Sequence, residues 1–220
     1  MDIDSLITIA KKLTTPELSD ALDYFSLPGV VHNIKPITKG HSFVGTAWTV
    51  RYMPFDNNNP GSVGDYIDSV TDRDVVVIDN AGRTDCTVWG GILSQIASAK
   101  KIVGTVIYGV SRDTQEAHDA KYPLFALGNF MRTGKDRVQV TEICGQVNLG
   151  GTLVNHGDII AADVDGVVVI DINHAEKVIK RASEMKVIED NIVKDALAGM
   201  SIKDARKKHN YHLLQRNPSL

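Results

Sequence analysis

Cysteine is nearly absent from this chain, at two of 220 positions, and neither Cys86 nor Cys144 has a Cys or His neighbour at metal-ligand spacing. That excludes a disulfide scaffold or a zinc ribbon, so both are expected as reduced thiols in the core. An excess of positive charge is missing too: 24 Lys and Arg face 27 Asp and Glu, a net charge of -3. Nucleic-acid binding by bulk charge is therefore disfavoured. The one basic run, Lys203 to Lys208 (KDARKK), reads as the solvated face of a last helix. No stretch approaches the roughly 20 apolar residues of a membrane span. The amino terminus, MDIDSLITIAKKL, has acids and helical spacing where a secretory signal has a basic start and an apolar run. The expectation is a cytoplasmic protein with neither membrane nor nucleic acid as partner.

Several signatures are also lacking. There is no G-x-G-x-x-G after a first strand, no Walker loop, no G-x-S-x-G elbow and no H-E-x-x-H. NAD-, ATP- and S-adenosylmethionine-dependent chemistry is thereby disfavoured, and the seven histidines read as surface or hydrogen-bonded residues. Asp163 and Asp165 (DVDG) lack the other positions of a calcium loop and are explained by a turn between strands.

What is present suffices for one domain over residues 1–220, with helical segments at both ends. A chain of this length hides roughly 70% of its unfolded surface, and 43% of its residues are hydrophobic. Ile3, Leu6, Ile7, Ala10 and Leu13 repeat at helical spacing, and Thr15, Pro16 and Glu17 then supply a cap and first turn for a second helix. Val30–Ile37 and Ser42–Met53 read as strands, separated from later ones by the turn-rich, mobile-loop candidate DNNNPG at Asp56–Gly61. The short apolar runs Asp74–Asp79, Ile102–Gly109 and Asp165–Ile170 have the pattern of strands covered on both faces. A helix over roughly Cys86–Lys100, capped by Asp85, would join the first two as a crossover unit. Pro123–Leu127, Val138–Val147, Gly151–Val154 and Ile159–Ala162 read as further strands, the last after the turn His156-Gly157-Asp158. Two helices close the chain, His174–Leu197 and one after Ser201. The class is α/β with a strand-rich second half.

Ligands of open α/β sheets lie beyond the carboxyl ends of strands, which directs attention to two segments. One runs from Asp79 through Arg83 into Trp89-Gly90-Gly91-Ile92-Leu93. Its glycine pair either leaves backbone amides open to an anion or lets Trp89 pack closely. The other is Tyr108-Gly109-Val110-Ser111-Arg112-Asp113, where Asp113 and Glu116 fit the cap and third position of a capping box. Together the two segments offer amides, a fixed cation and a hard oxygen ligand for Mg²⁺. Asp79 and Arg83 border this region as supporting candidates.

The stretch WGGILSQIASAKKIVGTVIYGVSRD is similar to the W-G-E-L-L and G-A-V-R-D segments of the RraA-like family, at the same separation. NLGGTLVNHGDIIAADVDGVVVI is similar to its V-x-P-G-D-x-x-x-A-D-x-D-G-V-V-V-I segment. The resemblance implies a three-layer β/β/α fold akin to swivelling domains, and homotrimers or hexamers. It implies a class II lyase, dependent on Mg²⁺ or Mn²⁺, that releases pyruvate from small 2-oxo acids such as 4-hydroxy-4-methyl-2-oxoglutarate or oxaloacetate. Carried over, Gly90, Gly91, Ile92 and Leu93 would bind a substrate carboxylate, Arg112 the pyruvoyl group, and Asp113 the metal. A carboxylate from the C-terminal helix of a neighbouring copy would complete the site, with Glu189 the best match and Glu184 next. The aldolases carry an acid, which would hold metal-bound water, where this chain has Gly91. The family's second branch, non-catalytic regulators of an RNA-degrading endonuclease, typically lacks the aspartate that is present here as Asp113.

Overall fold

The computed structural model describes residues 1–214, so the last six of the 220 residues expected in one domain lie outside it. In chain order the elements are α1 (Ile3–Ala10), α2 (Thr15–Tyr24), β1 (Val30–Val31), β2 (Lys35–Pro36), β3 (Phe43–Pro54) and β4 (Asp74–Asp79). They continue with α3 (Gly91–Ala99), β5 (Gly104–Ser111), α4 (Thr114–Asp119), β6 (Leu124–Asn129), β7 (Val138–Ile143), β8 (Val147–Leu149) and β9 (Thr152–Val154). The last are β10 (Ile159–Ala162), β11 (Val167–Ile170), α5 (Ala175–Leu197) and α6 (Ile202–Lys208). A 3-10 turn, Asp65–Ser69, lies between β3 and β4.

One sheet runs in the order β1-β11-β10-β3-β4-β5-β6-β2, with β7 on β3, and β8 and β9 form a separate hairpin. Strands β3, β4, β5 and β6 are mutually parallel, and the remaining pairs are antiparallel. The apolar runs explain why the sheet is covered on both sides. Val75 and Val77 of β4 join an inner cluster with Val147, Leu149 and Val154 of the hairpin. Their alternates Val76 and Ile78 pack with Trp89 and Ala97 beside α3. On β10 and β11, Ile159, Ala161, Val168 and Ile170 meet Leu18, Val178 and Ile179 of α2 and α5. The product is the expected β/β/α layering of a mixed α/β fold, built from the period-2 alternation of strands.

Several local expectations change for identifiable reasons. The cap of α2 is Thr14, in a full capping box with Glu17, whereas Thr15 turns its N–H and hydroxyl to Asp163 at 2.7 and 2.6 Å. Asp163 is thus a tie between the helical layer and the end of β10. The segment Val30–Ile37 yields only two two-residue strands, and the long strand from Val138 breaks at Cys144, whose φ is 58°. Cys144 is exposed, contrary to its expected place in the core, while Cys86 is buried. The DNNNPG loop is pinned by Gln139, which accepts from the N–H groups of Asp56 and Gly61 and donates to the Asn59 carbonyl. The basic run falls on α6 with its charges exposed. No helix among the described residues is long and apolar enough to cross a membrane.

The turn before β10 is held by Asp158, a buried carboxylate accepting from the N–H of Asn155 (2.8 Å) and of Ile172 (3.1 Å). It joins that turn to the approach of α5. Asp158→Ala would orphan both donors at about 1–3 kcal/mol each. A lowered urea midpoint with unchanged slope is the expected result.

Candidate active site

The crossover helix begins later than its composition suggests. Residues 86–90 do not coil but run extended across the strand ends, with Thr87 bridging both Val110 and Thr133. The Thr87 N–H donates to the Arg132 carbonyl (3.0 Å), and the Arg112 N–H to that of Trp89 (3.0 Å). These tertiary backbone bonds outcompete helical ones, so α3 starts at Gly91 with Gly90 as its cap. Asp85 plays no capping role and is instead paired with Arg83 at 2.8 Å. Asp79 accepts from the N–H groups of Ala81 and Asn148. Neither Asp79 nor Arg83 lines the cavity described next.

A cavity of about 460 Å³ opens beyond the carboxyl ends of β4 and β5, walled by Trp89–Leu93, Arg112, Asp113, Ile67 and Gly134. Six of the seven candidate positions, Gly90, Gly91, Ile92, Leu93, Arg112 and Asp113, therefore meet in one place. Glu189 does not. It sits on α5 near Asp20 and Glu17, its carboxyl raised by burial and by those two like charges. Glu184, also on α5, is paired with Arg181 instead. The 3-10 turn supplies a wall that sequence reasoning did not assign: Asp65 and Asp68 line the cavity, whereas the DNNNPG loop does not. The aromatic and acidic spacing in GDYIDSV was the available signal.

Asp113 does not form the expected capping box. It adopts left-handed backbone angles (φ 53°, ψ 43°) and makes no side-chain cap of α4. Aspartate tolerates that region better than most residues, and such strain concentrates at functional sites. Its Oδ2 accepts the Gly91 N–H at 3.0 Å and lies 3.4 Å from Arg112 Nε. Oδ1 has no partner among the described residues. Glu116, released from the capping role, accepts from Gln95 Nε2 at 2.9 Å across to α3.

The two glycines make this approach possible. A β-carbon at Gly90 would stand 2.8 Å from Asp113 Oδ2, and one at Gly91 1.7 Å from Glu116 Oε2. What the glycine pair admits is thus two acidic side chains rather than Trp89. That indole is buried on its own terms, stacked on Tyr122 and donating to Ser94 Oγ at 2.9 Å. With the Gly91 amide committed to Asp113, Ile92 and Leu93 carry the first-turn donors that the helix cannot satisfy internally. These face the helix-dipole end that favours anions.

Other reactive groups are poor candidates. Burial pushes the Cys86 thiol up, away from a thiolate nucleophile. Lys100 donates to the carbonyls of Ile67 and Asp68. Among the described residues no three His, Cys, Asp or Glu side chains converge as a metal cage.

A crevice past parallel strand ends, lined by amides, a guanidinium and a carboxylate on a β/β/α frame, defines the class. The chain belongs to the RraA-like family (Aldolase/RraA), whose match covers residues 15–169. It is 36% identical to the protein DlpA of Legionella pneumophila over 198 residues, 89% of this chain but 32% of that one. It thus spans about a third of that relative. It is 30% identical to a Halalkalibacterium halodurans protein provisionally named 4-hydroxy-4-methyl-2-oxoglutarate aldolase, covering 85% of this chain and 90% of the relative. A crystal structure of a Pseudomonas syringae pv. tomato protein superposes with a TM-score of 0.86 at 35% identity, over 92% and 97% of the two chains.

The raised carboxyl of Glu189 has a consequence for stability. A carboxyl raised in the folded state favours folding below its ordinary range and loses that advantage as pH rises through the folded value. Glu189→Gln should therefore leave urea stability unchanged in acid and increase it at neutral pH.

Proposed function

We propose that the chain is a divalent-metal-dependent lyase that cleaves a C–C bond in a small 2-oxo acid and releases pyruvate. The observation that carries this is the meeting of Arg112, Asp113 and the open amides of Ile92 and Leu93 in one cavity. The chemistry needs little more than charge. Breaking the bond next to a 2-oxo acid leaves an enolate, and groups preorganised toward that oxygen lower the barrier. Arg112, with its side chain 40% exposed and steered by Asp113, supplies fixed positive charge there. The amides of Ile92 and Leu93 hold the substrate carboxylate.

The donor set suits Mg²⁺ or Mn²⁺: the Asp113 carboxylate with a free oxygen, and room for water and substrate oxygens, in place of an all-protein cage. When bound at Asp113, such a cation would supply Lewis acidity toward the keto oxygen and carboxylate. Decarboxylation of oxaloacetate asks less of the site than aldol cleavage of 4-hydroxy-4-methyl-2-oxoglutarate, because no hydroxyl proton must be removed. Glu189, far from serving its own chain's cavity, is the carboxylate that a neighbouring copy in a homotrimer or hexamer would add.

A second reading, a binding module that regulates another protein, is favoured by Ile92, which lines the cavity yet is 75% exposed. Pyruvate formation separates the two. With Mn²⁺ supplied, wild type should convert oxaloacetate, and EDTA should abolish the activity. Asp113→Ala should lose more than about 100-fold, and Arg112→Ala about 10²–10³-fold in kcat. Equal inactivity of wild type and Asp113→Ala across several 2-oxo acids would sink the lyase reading.

A further inference from the structure

Position 91 lacks a side chain, yet the space that a side chain would fill is occupied. Glu116 reaches it from the first turn of α4: its Oε2, Cδ and Oε1 lie 1.7, 2.4 and 3.0 Å from where a Gly91 β-carbon would be. Gln95, one turn further along α3, holds that carboxylate at 2.9 Å. Asp113 lies in the same way against Gly90, 2.8 Å from the corresponding point. Two acids three residues apart, at the cap and in the first turn of α4, therefore sit over two consecutive glycines at the start of α3. The register is self-consistent: Glu116 can approach only because residue 91 has no β-carbon, and it left its own helix cap to do so.

We propose that Glu116 is the second carboxylate of the site, a positioning residue that provides from α4 the acid that α3 lacks at Gly91. It lies over Gly91, whose N–H Asp113 Oδ2 accepts, and from there would order water around a cation at Asp113 without touching substrate. The inference rests on the lyase reading above. Its chemistry is that of a carboxylate next to a hard, strongly hydrated cation, where it accepts hydrogen bonds from coordinated water and fixes its orientation.

The test uses the full chain and two readouts that do not depend on turnover. Mn²⁺ binding followed by electron paramagnetic resonance should weaken about 10–100-fold in Glu116→Gln, which keeps the shape and removes the charge. Thermal melting checks that each variant folds. A β-carbon at Gly91 displaces only the flexible end of Glu116, so the double variant Gly91→Glu/Glu116→Ala should recover the Mn²⁺ affinity that Glu116→Ala loses. Mn²⁺ affinity unchanged in Glu116→Gln overturns the proposal while leaving the lyase reading intact. So does a double variant that binds Mn²⁺ no better than Glu116→Ala. If wild type neither binds Mn²⁺ nor yields pyruvate, it is the lyase reading that fails.

Discussion

The hydrogen bond from the Gly91 N–H to Asp113 Oδ2 joins the start of α3 to the end of β5, and the arrangement of the cavity depends on it. It forms because β4 and β5 are parallel neighbours, which puts the loop after each strand on the same edge of the sheet. It also needs a residue without a β-carbon at position 90, where any side chain would collide with the same oxygen. In exchange for a strained aspartate backbone, Arg112 is turned toward the cavity and the next two amides of α3 stay unclaimed.

That edge is kept rigid by layers on both sides. Trp89 and Tyr122 stack beneath α3 and α4, while the β8–β9 hairpin closes the opposite face over Val75 and Val77. The third apolar cluster, under α1, α2 and α5, is fastened to the strands through Asp163 and Asp158. Carboxylates accepting backbone N–H groups, buried at Asp158 and half-buried at Asp163, are directional where hydrophobic contact is not, so they set the register between layers that packing alone would leave loose.

Much of this was legible in residue order. Continuous apolar runs marked β4, β5 and β11, and the pairing of a glycine-rich strand end with an Arg-Asp pair singled out the residues that meet in the cavity. Three readings of helix starts that changed share one cause. Thr15 resembled a cap, Asp113 and Glu116 a capping box, and Cys86–Gly90 the first turn of a helix, because local pattern weighs only neighbours in the chain. In each case a partner distant in sequence offered a better hydrogen bond: Asp163 for Thr15, Gly91 for Asp113, Gln95 for Glu116 and Arg132 for Thr87.

Composition and periodicity by themselves determined the α/β class, the small place left for disulfide or zinc frameworks and the strand ends that border the cavity, since these follow from burial and spacing along the chain. Only the tertiary structure decided what the glycines at 90 and 91 are for. A missing β-carbon is a vacancy in sequence, and whether it is filled by an indole, a ligand or a carboxylate depends on which element is folded against it. Here α4 lies against α3, and Asp113 and Glu116 take the space.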